Sequence, residues 1–184
     1  MDVDVFRLTG LNVGKVTLRR IGANLQVKMD KTGETVTIDG QLYSQDSNWE
    51  LERMQFADGT SWDLAAISAE AWFRGTSWDD AVSGISWNDT LAGGGGDDTL
   101  TGGAGANRFV FGPDCGKDVI TDFTADASGT DMIEFSSSLF SSFAERQAAM
   151  ARVGSATAIT RGADTLTLND TAPSAFVADD FRFA

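Results

Sequence analysis

The chain's fold is decided by Gly75-Thr-Ser-Trp-Asp-Asp-Ala-Val-Ser83, Gly84-Ile-Ser-Trp-Asn-Asp-Thr-Leu-Ala92, Gly93-Gly-Gly-Gly-Asp-Asp-Thr-Leu-Thr101 and Gly102-Gly-Ala-Gly-Ala-Asn-Arg-Phe-Val110. These are four registered units of nine residues, each opened by glycine. The sixth place reads Asp80, Asp89, Asp98, Asn107, and the eighth reads Val82, Leu91, Leu100, Phe109. A fixed period carrying one polar ligand-type residue and one apolar residue is the signature of a repeat architecture. A flexible Gly/Asp linker has no reason to keep the two series in step.

The period has a direct physical reading. Places seven to nine form a short strand whose large apolar residue points inward. Places one to six form a tight turn whose glycines permit positive φ. Two units complete one coil, so units n and n+2 stack, one strand spacing or roughly 4.8 Å apart. Carboxylates at that distance repel unless a cation lies between them. Turn carbonyls and Asp oxygens together make an all-oxygen cage suited to a hard ion such as Ca²⁺.

The stretch resembles the nonapeptide repeat of the RTX, or haemolysin-type calcium-binding, family, G-G-x-G-x-D-x-U-x. Gly93–Thr101 fits at every fixed place, and Gly102–Val110 departs at the sixth, where Asn107 stands for Asp. In the first two units Thr76 and Ile85 replace the second Gly, and Trp78 and Trp87 replace the third. Those two turns are expected to be half-filled or empty of metal. The resemblance implies that each ion takes the carbonyls of places two and four plus the sixth-place acid of one turn. From the turn above it takes carbonyls one and three plus the sixth-place acid. Carried over, Asp80 faces Asp98 with Gly93 and Gly95, while Asp89 faces Asn107 with Gly102 and Ala104. Gly94, Gly96 and Asp98 face a further rung that carries Gly116 and Asp118.

That further rung comes from the segment after the repeats. G-x-D-x-I occurs twice, at Gly116–Ile120 and Gly129–Ile133, and reads as two widened rungs. Asp118 and Asp131 take the acid place, with Ile120 and Ile133 inside. Together with Phe109-Val-Phe111 this resembles the closing segment of RTX proteins exported by type I systems. Asp122 and Glu134 are second-line ligand candidates or, alternatively, solvated strand-end acids.

Upstream, residues 1–62 read as antiparallel β. Val16 and Leu18 alternate, as do Leu25, Val27 and Met29. After the turn Asp30–Glu34, Val36 and Ile38 alternate back. Phe56-Ala-Asp-Gly-Thr60 marks another tight turn, and residues 11–68 resemble the haemolysin-type calcium-binding related domain. A first helix is expected over Asp63–Arg74, capped by Asp63 and ended by Gly75, with Leu64, Ile67, Ala71 and Trp72 inward. A second is expected over Ser141–Val153, with a Ser142/Glu145 capping box and a stripe of Phe140, Ala144, Ala148 and Ala151. A hairpin follows, with strands at 158–160 and 165–168. The tail Phe176–Ala184, ending Asp-Phe-Arg-Phe-Ala, reads as an edge strand. It also resembles the uncleaved C-terminal signal of type I substrates.

The expected fold is therefore all-β with two short helices: a parallel β-roll (β-solenoid) flanked by antiparallel β-hairpins that cap both ends. Its parts are a hairpin-rich segment over 1–74, the roll over 75–135, and a capping and secretion region over 136–184.

Composition narrows the function. The 184 residues carry 27 acids against 14 bases, net −13, which argues against nucleic acid as a partner. The charge fits a chain that folds as cations neutralise its carboxylates. There is no histidine, which removes His-based zinc sites and Ser-His triads. The single Cys115 cannot form an internal disulfide and has no base to activate it. The carboxylates sit on repeat turns, where ligation explains them better than acid–base catalysis, so no enzyme activity is expected. No apolar run is long enough to span a membrane, and no basic-then-apolar N-terminal signal is visible.

The expected role is a calcium-binding module that folds after type I secretion, in the extracellular space, and serves an upstream domain of a longer parent chain. The alternatives are a carbohydrate-binding module of a polysaccharide-modifying enzyme, similar to alginate-epimerase repeat modules, or an adhesin-like assembly unit. For the carbohydrate reading the candidates are Arg7, Arg19, Arg20, Trp49, Trp62, Trp72, Trp78 and Trp87. For the tryptophans of the Trp62, Trp78 and Trp87 turns the competing reading is packing at the blunt end of the roll.

Overall fold

The computed structural model describes residues 4–21, 24–40, 51–85, 88–125 and 131–184, without the side chains of Leu64 and Ser68. Trp49, Trp87 and Gly129 lie outside the described residues. The chain divides into two compact units, Met1–Trp72 and Phe73–Ala184.

The first unit contains β1 (Val5–Leu8), β2 (Val16–Ile21), β3 (Asn24–Met29), β4 (Thr35–Ile38), β5 (Arg53–Phe56), β6 (Ser61–Asp63) and α1 (Leu64–Glu70). β2, β3 and β4 form an antiparallel meander, with Leu18 opposite Val27 and Leu25 opposite Ile38. Period-2 alternation drives Leu18, Leu25 and Val27 to one face, where they are buried with Met54, Phe56 and Ile67. One expectation fails: β1 runs parallel to β5, Val5 opposite Arg53 through Leu8 opposite Phe56. Alternation alone carries no information on strand direction. The Ala57–Thr60 turn forms as expected, with Gly59 at φ +84° and the Asp58 carboxylate accepting from the Val13 and Thr60 amides. Asp63 caps α1 by accepting from Ala66 N–H at 2.9 Å. The helix stops at Glu70, however, and Trp72–Arg74 is strand. The helical reading of the apolar spacing gives way here to strand, which the aromatic pair Trp72-Phe73 favours and which sets Phe73 opposite Leu91.

The second unit takes β7 (Trp72–Arg74) from Phe73 on, then β8 (Ala81–Ser83), β9 (Thr90–Ala92), β10 (Thr99–Thr101), β11 (Arg108–Phe111), β12 (Lys117–Ile120), β13 (Met132–Phe135), α2 (Phe143–Ala148), β14 (Met150–Val153), β15 (Ala156–Arg161), β16 (Asp164–Leu168) and β17 (Phe181–Phe183). Successive repeat strands alternate between two parallel sheets. One runs β8-β10-β12-β16, with Val82, Leu100, Ile120 and Leu168 in register. The other runs β7-β9-β11-β13-β17, with Phe73, Leu91, Phe109, Ile133 and Phe181 in register. Leu91, Leu100, Phe109, Ile120, Ile133 and Leu168 are all fully buried. Each such side chain contributes about 1.5–3 kcal/mol of burial. This is a parallel β-roll with an apolar ladder inside each sheet. β14 and β15 extend the first sheet as antiparallel strands, and the β15–β16 hairpin turns at Gly162, φ +64°.

Ser142 caps α2 through Glu145 N–H, and Glu145 reaches back to the Ser141 amide and hydroxyl. The expected helix over 141–153 is cut short: Met150–Val153 is a strand. The alanine stripe also fails, because Ala144, Ala148 and Ala151 are exposed. The buried face of α2 is instead Arg146, 1% exposed, whose guanidinium lies 3.5 Å from the Phe181 ring centroid and 4.2 Å from that of Phe143. A guanidinium stacked on two rings can be buried where a hydrated ammonium could not. Periodicity counts Arg as polar and so misses it. The last residues are tied down as well: Ala184 N–H donates to Phe135 O at 3.0 Å, and Ser137 N–H to Ala184 O at 2.7 Å.

Candidate metal centre

The turns between repeat strands stack into two edges. On one, the 75–80 turn lies beside the 93–98 turn, and the latter beside the turn that reaches Asp118. Asp80 N–H donates to Asp98 Oδ1 at 2.8 Å, and Asp98 N–H to Asp118 Oδ1 at 2.9 Å. On the other edge Asp89 N–H donates to Asn107 Oδ1 at 3.0 Å, and Asn107 N–H to Asp131 Oδ1 at 2.9 Å. The candidate acids are thus brought together in two columns, Asp80–Asp98–Asp118 and Asp89–Asn107–Asp131. Asp89, Asp98, Asn107, Asp118 and Asp131 are all buried, although carboxylates are rarely so without a partner.

Glycine makes this stacking possible. A Cβ on Gly93 would meet Asp98 Oδ2 at 2.0 Å, and one on Gly75 would meet Gly93 O at 1.9 Å. Gly94, at φ +112°, would place its Cβ 1.9 Å from Thr76 O. Gly96 and Gly116 also have positive φ, and a Cβ on Gly116 would meet Gly96 O at 2.2 Å. Gly95 N–H donates to Thr76 O at 3.1 Å, and Gly116 O accepts from Thr165 N–H at 2.8 Å. A Cβ on Gly102 would meet Asn107 Nδ2 at 2.7 Å, while Ala104 is exposed on the same turn.

The two edges differ at the second oxygen of the sixth-place side chain. Asp98 Oδ2 and Asp118 Oδ2 are buried with no hydrogen-bond partner. Burial, then the neighbouring acids, raises the Asp98 pKa. Burial, with Asp98 adding to it, pushes Asp118 up to about 7. Orphaned buried anionic oxygens beside glycine turns are the donor set a hard cation completes. Asp98 and Asp118 therefore fit a Ca²⁺ ion. Among the described residues no three acidic, Cys or His side chains cluster as a metal group. A cage on these turns must accordingly take most of its oxygens from the backbone.

Elsewhere the second oxygen is already used. Asp80 Oδ2 accepts from Thr76 N–H at 2.6 Å and from the Thr76 hydroxyl at 2.7 Å. Asp89 Oδ2 accepts from Ile85 N–H at 2.7 Å, and Asp131 Oδ2 from Thr124 N–H at 2.9 Å. Burial raises the Asp131 pKa. Asn107 presents Nδ2, 3.4 Å from both Gly103 O and Gly105 O.

The second-line acids bind protein groups. Asp122 accepts from Gly102 N–H and Gly103 N–H, each at 2.8 Å. Glu134 lies 3.4 Å from both Arg108 and Arg182. Cys115 is buried, and burial, then Asp118 and Asp164, pushes its thiol up to about 12, which suits an inert side chain.

A further ladder, outside the sixth-place pattern, runs through the fifth-place side chains. Asp79 Oδ1 accepts from Asp97 N–H, Asn88 Oδ1 from Ala106 N–H, and Asp97 Oδ1 from Lys117 N–H, each at 2.8 Å. Its signal was present: the fifth place reads Asp79, Asn88, Asp97, Ala106. Fifth-place side chains accept from the later turn and sixth-place ones from the earlier turn, so each turn is held from both sides.

For the carbohydrate candidates, Arg7 is exposed and Arg20 is buried. Trp62 packs edge-on to Phe56, with ring centroids 4.7 Å apart, and Trp72 Nε1 donates to Ala69 O. Trp78, at 78% exposure, does not pack as an end cap.

A roll of glycine-opened nonapeptide turns with stacked acids defines a class of calcium-binding β-roll. Residues 86–114 match the RTX calcium-binding nonapeptide repeat, four copies, and residues 24–66 match the haemolysin-type calcium-binding protein related domain. The repeat segment thus matches RTX nonapeptide repeats, and haemolysin-type repeats of this kind bind Ca²⁺. Among solved structures the chain is similar to the extracellular lipase LipA from Serratia marcescens, at TM-score 0.50 and 16% identity. That alignment covers 100% of this chain and 33% of the lipase, and the likeness is one of fold. A comparison with curated proteins returns no match.

Proposed function

We propose that this chain is a calcium-dependent folding module of a secreted protein, exported by type I machinery and stabilising the parent chain outside the cell. The observation that carries the reading is the pair of buried, unpartnered oxygens, Asp98 Oδ2 and Asp118 Oδ2. Without a cation they are a standing cost; with one, ion binding becomes folding energy. The residues that would hold the ion are Asp98 and Asp118, with turn carbonyls of 93–96 and of the rung carrying Gly116. Calcium supplies the positive charge that lets the carboxylates stack. Inside the cell, where free calcium is scarce, the acid column repels itself and the roll stays loose. Outside, at the affinities of extracellular calcium modules, about 10⁻⁴–10⁻³ M, it closes. The C-terminal strand β17 joins the sheet only in that folded state. An unfolded chain would therefore leave the tail readable by an export channel. Titrating Ca²⁺ into chelated protein tests this: far-UV circular dichroism should gain β signal saturably. A β spectrum indifferent to chelator ends the proposal.

One observation supports a second reading. Trp78 is exposed beside the acidic turns, as a sugar-binding platform would be. A glycan array run in calcium would separate the two, since binding lost in Trp78→Ala favours the carbohydrate module.

A further inference from the structure

Resting on the calcium reading above, we propose that this roll takes its cations along one edge only, and that Asn107 closes the opposite edge with its amide in the place of an ion. The orientation of that amide is fixed by its neighbours. Asn107 Oδ1 accepts from Asp89 N–H at 3.0 Å, so Nδ2 is the atom turned into its own loop. There it lies 3.4 Å from the carbonyls of Gly103 and Gly105. Those are places two and four of the unit, two carbonyls converging on one point. An NH₂ group is electropositive with two donors, so it can bridge two carbonyls much as a cation would, at the cost of longer contacts.

The rest of that edge is closed too. The Ile85 and Thr124 amides occupy the second oxygens of Asp89 and Asp131. A neutral side chain also separates the two carboxylates of the column, where the other edge stacks three in succession. The Asp98–Asp118 edge thus keeps buried anionic oxygens open to an ion, while the Asn107 turn already fills its own carbonyls. The consequence is asymmetric loading: ions enter beside Asp98 and Asp118, and the Asn107 turn closes on the opposite edge without one.

Counting bound Ca²⁺ on the full chain, by native mass spectrometry and calorimetry in excess calcium, tests this. Asn107→Asp should add one ion per chain, because it restores an anionic ligand and removes the bridging donor. Asn107→Ser should leave the count unchanged while lowering the melting temperature, since the carbonyls of Gly103 and Gly105 lose their donor. Asp98→Asn should lower the count. If Asn107→Ser removes an ion, or Asn107→Asp folds in calcium yet adds none, the one-edge assignment is overturned. The Asn107→Ser count decides the matter even if Asn107→Asp does not fold. Wild-type protein that binds no calcium would instead sink the folding-module reading beneath it.

Discussion

Along one edge of the roll, Asp80, Asp98 and Asp118 stack with backbone amides between them, and two of their oxygens are buried without a partner. Along the other, Asp89, Asn107 and Asp131 stack by the same amide-to-side-chain bonds, yet their remaining polar atoms meet donors or acceptors inside the protein. The ladder is shared, so the ladder is not what demands a cation. The demand comes from the second atom of the sixth-place side chain. Exchanging one oxygen for NH₂ reverses the sign of what the turn can accept.

The hardest way to break the comparison is to attack what both edges share. Gly94→Ala forces a side chain onto φ +112° with Thr76 O at 1.9 Å, and Gly103→Ala forces one onto φ +83° with Ile85 O at 2.3 Å. Each should cost upwards of about 3 kcal/mol in denaturant unfolding at saturating calcium. Gly112→Ala, with no atom within 4 Å, should stay within about 0.5 kcal/mol. Equal effects at all three positions would mean that close turn stacking does not hold the roll.

A more selective test removes one acid from each edge. Asp118→Asn should raise the calcium concentration at half-folding by about tenfold or more, whereas Asp89→Asn should move it by less than about threefold. Equal shifts would erase the distinction between the edges.

Acidity sharpens it further. In chelator, Asp118 titrates at about 7 in the fold against an ordinary 3.8. Between those values the folded state holds a proton that the unfolded chain has released, so stability falls as pH rises from 3.8 to 7. Asp98 and Asp131 shift in the same direction. The chelated protein should therefore gain β structure as the solution is acidified from neutral pH. It should also need more calcium at pH 6 than at pH 8, as protons compete for the Asp118 carboxylate. Chelated protein that loses structure on mild acidification would contradict the desolvated-carboxylate account. The smallest effect is expected for Trp78→Ala: with the indole largely in solvent, the change should stay within about 0.5 kcal/mol by thermal unfolding.

Much of the roll was legible beforehand because its two determinants are local and periodic. Val82, Leu91, Leu100 and Phe109 recur every nine places, and each lands in a sheet interior. The widened rungs were legible from G-x-D-x-I, since Asp118 and Asp131 fall in the acid columns despite separations of 20 and 24 residues rather than 18. The apolar spacing of Trp72–Arg74 and Met150–Val153 suits helix and strand alike, and pairing decides for strand. Arg146 was invisible as a core residue because the Phe143 and Phe181 rings and the Asp180 charge that make a buried guanidinium tolerable are gathered around it by the fold.

By itself, then, the sequence determined the nine-residue half-coil, the inward apolar series, the two acid columns and the choice of calcium, all of which follow from residue type at a fixed spacing. Only the tertiary structure decided which way each polar atom faces across a turn. Asp98 and Asp118 were left open while Asp80, Asp89 and Asp131 were satisfied by amides, and Asn107 came to fill its own loop. Those outcomes depend on groups brought within 3 or 4 Å by stacking, and no spacing along the chain encodes them.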